Sequence, residues 1–183
     1  MAGQKVLIGE ATGVSQQQSY ELYQQVEEQM KEAGVQPYYV VEQEMDLRMN
    51  GLQPGASTDT SSLAVMERLG YAYYLKAAVN GIESGTGYNR ISAAEQRELQ
   101  AGYGREPEDN TKAIVNYTLY STSTKQVVYT LAAKTTMTGI SIPEKEIENG
   151  YRGSKTVNLA TTPLAVQKAY KKGIKKILEN CQQ

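Results

Sequence analysis

Apolar residues near the start of the chain switch from a short continuous run to a helical spacing. The run 5–8 (Lys-Val-Leu-Ile) is broken by the glycine-containing turn 9–13, which predicts a buried first strand. From about Ser15, apolar residues recur in steps of three and four, so we expect an amphipathic helix that ends at Gly34. Pro37 then opens a second strand, because proline is tolerated where a strand starts.

In the middle of the chain, apolar and polar residues alternate with the period of a strand. A short helix ending at Gly70 precedes the alternating stretch 71–82, which predicts a long strand. Two further runs, 113–120 and 126–136, flank the polar turn Ser-Thr-Ser-Thr-Lys, so we expect an antiparallel hairpin. The hairpin should pair with 71–82 in one sheet.

Two segments lack a sustained period and are predicted to be surface structure. Residues 84–109 are rich in glycine and charge and are predicted to be a surface insertion between strands. Within them, Ser92 and Glu95 match a capping box for a helix over 92–101. Residues 139–160 are predicted to be irregular.

The C-terminal segment has the clearest helical pattern, with Thr162 as N-cap and Pro163 at the first helical position. One apolar stripe runs along this helix, and lysines occupy its other faces. The stripe consists of Val166, Tyr170, Ile174, Ile177, Leu178 and Cys181. Together the elements predict an α/β (α+β) fold, in which a single mixed, mostly antiparallel sheet is flanked by helices and the C-terminal amphipathic helix packs on the sheet.

The composition limits the chemistry that the chain can perform. Its 183 residues fit one domain, 1–183, and its net charge of -1 argues against nucleic acid as the main partner. Histidine is absent, which excludes Ser-His-Asp triads, Cys-His dyads and most catalytic zinc sites. The one cysteine, Cys181, is expected to be a buried apolar residue. We therefore expect no catalytic residue, no cofactor and no bound metal.

Four places in the chain resemble the CsgG / LpoB / TolB N-terminal type of cell-envelope domain. They are the opening strand 5–8, the step Leu-Gly-Tyr-Ala-Tyr-Tyr-Leu at 69–75, the hairpin 117–128 and the helix 165–178. The step is similar to the family's passage from leucine and glycine into a hydrophobic strand. The hairpin resembles its short polar turn between two strands.

The resemblance implies an exported, often lipid-anchored domain that binds other envelope proteins, and it brings no catalytic residue with it. We therefore expect a non-catalytic binding or assembly module in the periplasm or at the outer membrane, similar to lipoprotein assembly factors and synthase activators. An export signal and a lipid anchor, absent from this chain, would precede residue 1 and bring the domain close to the membrane. The partner would be an envelope protein, and oligomerisation is compatible with this interpretation. A native start at Met1 would instead indicate a cytoplasmic protein.

The alternative hypothesis is a cytoplasmic nucleotide- or small-ligand-binding domain. It would use the strand-to-helix turn Gly9–Gly13, where free backbone N–H groups can hold an anion, and Glu42 as the ribose-binding acid. The turn matches neither Gly-x-Gly-x-x-Gly nor Gly-Lys-Ser/Thr.

Two surfaces are candidates for partner binding. The first combines tyrosine and arginine in predicted loops, a composition suited to protein interfaces. It consists of Tyr88, Arg90, Tyr103, Arg105, Tyr151 and Arg152. The second is the basic face of the last helix, which suits an acidic protein or lipid headgroups, although such lysines are also ordinary on a solvated helix. It consists of Lys168, Lys171, Lys172 and Lys175.

Overall fold

The structure is a computed structural model that describes residues 3–52, 58–101, 109–148 and 150–180. Strands and helices follow one another along these residues. In chain order they are β1 (Lys5–Ile8), α1 (Gln16–Glu32), β2 (Gln36–Tyr39), α2 (Glu44–Met49), α3 (Thr60–Arg68), β3 (Tyr73–Glu83), β4 (Tyr88–Ile91), α4 (Ala93–Ala101), β5 (Asn110–Ser121), β6 (Gln126–Thr138), β7 (Ile140–Glu148), β8 (Tyr151–Val157) and α5 (Thr162–Asn180).

Five strands form one mixed sheet in the order β2-β1-β3-β5-β6. β1 is parallel to both β2 and β3. β5 runs antiparallel to β3, since the Thr122 N–H donates to the Ala72 carbonyl (3.1 Å) just before β3 and the Gly85 N–H donates to Thr111 Oγ1 (3.1 Å) just after it. A four-residue turn, 122–125, joins β5 to β6 as predicted. The mixed sheet that the sequence predicts is therefore confirmed.

Backbone contacts divide the chain into two compact units. The first consists of Met1–Asn80, Ile114–Lys134 and Gln167–Gln183, and the second consists of Gly81–Ala113 and Thr135–Val166. Whether both unfold together as one domain over 1–183 stays a prediction.

In the first unit, helices cover both faces of the sheet. On one face, α2 and α3 pack on the strands through a buried apolar cluster. Its members are Leu7, Leu47, Leu52, Leu63, Met66, Tyr71 and Tyr74. On the other face, Tyr23 of α1 stacks on Tyr39 of β2 with 4.8 Å between ring centroids, and the Tyr117 hydroxyl of β5 donates to the Tyr170 carbonyl of α5 (2.7 Å). The predicted packing of the C-terminal helix on the sheet is confirmed.

Side-chain caps set the starts of α4 and α5. The predicted capping box precedes α4: the Ser92 N–H donates to Glu95 Oε2 (2.8 Å), and the Glu95 N–H donates to Ser92 Oγ (3.3 Å). The cap of α5 lies one residue earlier than predicted, because Thr161 Oγ1, rather than the Thr162 hydroxyl, accepts from the Leu164 N–H (3.4 Å).

The second unit contains a three-stranded antiparallel sheet in the order β4-β8-β7, which corrects the prediction of a single sheet. Residues 139–160, predicted to be irregular, form β7 and β8, and the predicted insertion 84–109 contributes β4 and α4. α4 packs on one face of this small sheet, and the open strands carry charged residues between apolar ones. The sequence pattern of these strands therefore resembles that of a polar loop. A register shift between Pro143 and Ile147 interrupts the alternation further.

A buried polar cluster joins the residues after β3, before β5 and after β8. Asn158 Nδ2 donates to the Asp109 carbonyl (3.0 Å) and to Thr111 Oγ1 (3.2 Å), and Asp109 Oδ1 accepts from the Thr86 N–H (2.6 Å). Gly85 is required at its position because a Cβ there would lie 2.3 Å from Asn158 Nδ2. The cluster fixes how these three connections approach one another in the second unit.

Candidate functional site

Strand register places six side chains on one face of the three-stranded sheet. Tyr88 of β4 and Ile140 of β7 both lie opposite Val157 of β8, and one pleat further Arg90 and Ile142 both lie opposite Lys155. Residues two apart on a strand point to the same side, so both rows share one face. We call this surface the open face: it consists of Tyr88, Arg90, Ile140, Ile142, Lys155 and Val157.

The open face presents large apolar side chains to solvent. Tyr88 is 59% exposed, Ile140 70% and Ile142 53%. On the opposite face, Ile91 is buried, with α4 packed along β8 and β7. Clustered exposed apolar residues on a rigid sheet are typical of interaction surfaces.

Glu144 holds the cations of the open face in place. Arg90 donates to both of its carboxylate oxygens, through Nε (2.8 Å) and Nη2 (3.2 Å), and Lys155 Nζ lies 3.2 Å from Oε1. Gly153 leaves room for this carboxylate, because a Cβ there would lie 3.1 Å from Glu144 Oε2. The hydrogen bond from Arg90, followed by that from Lys155, lowers the pKa of the Glu144 carboxyl, which therefore stays ionised at neutral pH.

A groove of about 410 Å³ lies beside this ion cluster, lined by Arg90, Ile142, Pro143, Glu144, Lys145 and Lys155. Three cations and one carboxylate give its lining a net charge of +2. Its side chains contain no nucleophile paired with a base, so the chemistry it offers is recognition of an anionic group next to apolar surface.

The structure brings together part of the predicted tyrosine and arginine site. Tyr88 and Arg90 lie on the open face, and Tyr151 lies on the same side of β8 by strand alternation. Arg152 points to the opposite side, where it pairs in register with Ile147. Two further predicted members, Tyr103 and Arg105, lie outside the described residues.

Sequence reasoning missed five contributors to the site, namely Ile140, Ile142, Glu144, Lys155 and Val157. The spacing of the two isoleucines, two residues apart, was the available signal for a strand. The ion cluster carried no such signal, because Glu144 is 54 positions from Arg90 along the chain.

The second predicted surface, the basic face of α5, belongs to the first unit. Lys168, Lys171, Lys172 and Lys175 are all exposed, as expected of an outward helix face. Lys172 Nζ donates to the Lys134 carbonyl of β6 (3.2 Å). Cys181 lies outside the described residues.

The turn Gly9–Gly13 packs closely against β3 and α1. The amides of Gly9 and Thr12 donate to carbonyls of β3, and the Ala11 amide donates to Ser19 Oγ (2.7 Å). A Cβ on Gly9 would lie 2.6 Å from the Tyr74 hydroxyl, and one on Gly13 would lie 2.3 Å from the Val79 carbonyl oxygen. Three of the five amides in this turn are thus engaged within the protein, which leaves fewer free donors for the anion that the nucleotide hypothesis requires.

Among the residues that the structure describes, no group of three or more His, Cys, Asp or Glu side chains is placed to hold a metal ion. In the same part of the chain, no helix is both long and apolar enough to cross a membrane.

Several solved structures of bacterial proteins have folds similar to that of this chain. The chain is similar to the LpoB C-terminal domain from Salmonella enterica (12% identity, 74% of this chain and 84% of that chain, TM-score 0.46). It is also similar to lipoprotein GNA1162 from Neisseria meningitidis (12% identity, 74% of this chain and 83% of that chain, TM-score 0.43). A third similar structure is PelC from Paraburkholderia phytofirmans (11% identity, 96% of this chain and 87% of that chain, TM-score 0.48). No protein-family model and no curated protein sequence matches the chain. These values do not assign the chain to a family, and its resemblance to CsgG and TolB stays a prediction.

Proposed function

We propose that this chain is a non-catalytic binding module of the bacterial cell envelope and that it contacts a protein partner through the open face. The observation that carries the proposal is the cluster of exposed Tyr88, Ile140 and Ile142 beside Arg90 and Lys155. Tyrosine and arginine are enriched among residues that dominate binding energy, and apolar neighbours supply the area that becomes desolvated.

The ion cluster favours binding by reducing its entropic cost. Glu144 already holds the guanidinium of Arg90 in one orientation, so less side-chain freedom is lost when a partner docks. The positive groove beside it favours a partner that presents carboxylates or another anionic group.

The envelope location in this proposal derives from the sequence resemblance. Fractionation of the native host tests it: we expect the protein in the periplasmic or outer-membrane fraction. Recovery with cytoplasmic proteins alone would contradict the location and leave the binding surface to be tested by itself.

The binding surface is tested by site-specific photo-crosslinking. A photoreactive phenylalanine analogue in place of Tyr88 should capture a discrete envelope protein in the native host, and Ile142→Asp should abolish that capture. Val128→Asp is the matched control, because Val128 is a strand residue of the first unit with similar exposure, 48%. Equal capture by the Ile142→Asp and Val128→Asp proteins would contradict the proposal.

A second matched pair separates the two arginines of the predicted site. Arg90 lies on the open face and Arg152 on the opposite side of the sheet. Arg90→Ala should weaken partner binding about tenfold or more, in the range of interface hot spots, whereas Arg152→Ala should leave it unchanged. Equal losses in both variants would place the interface elsewhere.

A further inference from the structure

The two edges of the five-stranded sheet carry surfaces of opposite charge, both within the first unit. At the β6 edge, α5 lies beside the strand: Asn180 Nδ2 donates to the Tyr129 hydroxyl (3.0 Å), and Lys172 Nζ donates to the Lys134 carbonyl (3.2 Å). The exposed lysines of α5 form what we call the lysine face. It consists of Lys168, Lys171, Lys172, Lys175 and Lys176. With Glu179, α5 has a net charge of +4.

At the opposite edge, a groove of about 510 Å³ lies between α1 and β2. We call it the acidic groove. Glu27 and Glu42 line it together with Lys31 and Tyr23, and α1 as a whole has four glutamates and one lysine, a net charge of -3. The pKa of Lys31 is raised, first by its hydrogen bond with Glu27 and also by the charges of Glu28 and Glu42, so the acidic field extends across the groove.

The acidic groove is poorly suited to receive a β-strand. The amides of Gln36 and Val40 donate inwards, to Gln4 and Ile8, so the amide position of Pro37 faces the free edge of β2. Proline has no N–H to donate, which removes a hydrogen bond that an added strand would need. An occupant of this groove must therefore be recognised through side-chain charge.

We propose that the first unit associates head-to-tail with a second copy of this chain, with the lysine face of one copy docked in the acidic groove of the next. The lysine face lies on a helix, which meets the requirement for side-chain recognition. Because the two surfaces lie at opposite edges of one sheet, the contact is heterologous, so it continues from copy to copy as a ring or an open chain. The open face belongs to the second unit, so this inference does not depend on the proposed function.

Salt dependence is the first test. Light scattering of the purified protein at a concentration on the order of 100 µM should give a mass well above the 20.2 kDa of one chain in about 25 mM NaCl, and a mass close to one chain in about 500 mM NaCl, where exposed charges are screened. A particle of one chain at both ionic strengths would overturn the proposal.

Charge reversal on each surface is the second test. Lys168→Glu, Lys171→Glu and Lys175→Glu together change the net charge of α5 from +4 to -2. Glu28→Lys, Glu32→Lys and Glu42→Lys together change the net charge of α1 from -3 to +1 and place a further cation in the groove. All six side chains are exposed, so folding should be retained. Each triple variant alone should associate at least about tenfold more weakly than the parent, since like charges then meet.

Mixing the two triple variants is the decisive measurement. In the mixture, the lysine face of one variant meets the acidic groove of the other, and the two surfaces are either both native or both reversed in charge. Opposite charges meet in either case, so an equimolar mixture should regain the mass of the parent. A mixture that stays at the mass of one chain would overturn the head-to-tail contact. Arg97→Glu with Lys145→Glu and Arg152→Glu is the control of equal charge change to the lysine-face variant; all three side chains are exposed in the second unit, and this control should associate like the parent. Thermal unfolding of every variant establishes that it is folded.

Discussion

Gly173 of α5 lies directly against the ring of Tyr117 of β5: a Cβ added to the glycine would lie 2.1 Å from Tyr117 Cε2. The same tyrosine donates its hydroxyl to the Tyr170 carbonyl of the helix. Burial raises the pKa of the Tyr117 hydroxyl, which is therefore a donor at neutral pH. This close approach sets how far α5 stands from the sheet.

Gly173→Ala should therefore lower the free energy of unfolding by about 1–3 kcal/mol, because the added methyl group meets a packed ring. The sign is diagnostic, since the same change in an exposed helix stabilises by roughly 0.5–1 kcal/mol. Urea unfolding followed by circular dichroism measures the difference. An unchanged or higher stability would show that α5 is not seated on Tyr117.

Ser19→Ala tests the packing of the turn that follows β1. Ser19 Oγ accepts from the buried Ala11 amide (2.7 Å) and is hydrogen bonded to the Tyr39 hydroxyl (2.9 Å). Removing it leaves a buried N–H without a partner, which costs about 1–3 kcal/mol of unfolding free energy. Tyr39→Phe removes only the phenolic hydroxyl and should lower the free energy of unfolding by less than Ser19→Ala does. An equal loss in both variants would argue against the Ala11 contact.

Arg90→Gln should raise the pKa of the Glu144 carboxyl towards its ordinary value, because the first cause of its lowering is lost while Lys155 remains. Because the pKa of Glu144 is lowered in the folded state, its pairing with Arg90 stabilises the protein at pH values above the ordinary glutamate pKa. This stabilisation is lost as the pH falls through the lowered pKa. Carboxyl-carbon NMR titration of both proteins measures the shift. Lys145→Gln is the control and should move this pKa less.

Replacing residues 84–109 by a short Gly/Ser linker tests the role of the predicted insertion. The sequence alone predicts that the chain still folds, since loop length affects closure entropy only weakly. In the structure this segment supplies β4, the buried Ile91 and the buried Asp109, so we expect the three-stranded sheet to be lost. Loss of strand signal in circular dichroism would agree with this, and an unchanged spectrum with cooperative unfolding would support a dispensable loop.

Local patterns determined the elements whose apolar residues face a covered surface. Val6, Leu7 and Ile8 are all buried because helices cover both sides of β1. The apolar stripe of the last helix is buried from Val166 to Leu178, as its spacing predicts. The capping box formed by Ser92 and Glu95 sets the start of α4, and it could be predicted because its two residues are only three positions apart in the sequence.

By itself, then, the sequence determined the mixed sheet, its helices and the absence of histidine chemistry, and it placed Tyr88, Arg90 and Tyr151 among the site candidates. Only the tertiary structure decided that β8 pairs with both β4 and β7, which brings Glu144 to Arg90 and leaves Ile140 and Ile142 exposed. Strand pairing depends on a partner distant in the chain, and a strand covered on one face need not bury its apolar residues. For that physical reason, the periodicity of apolar residues in the sequence does not identify the open face.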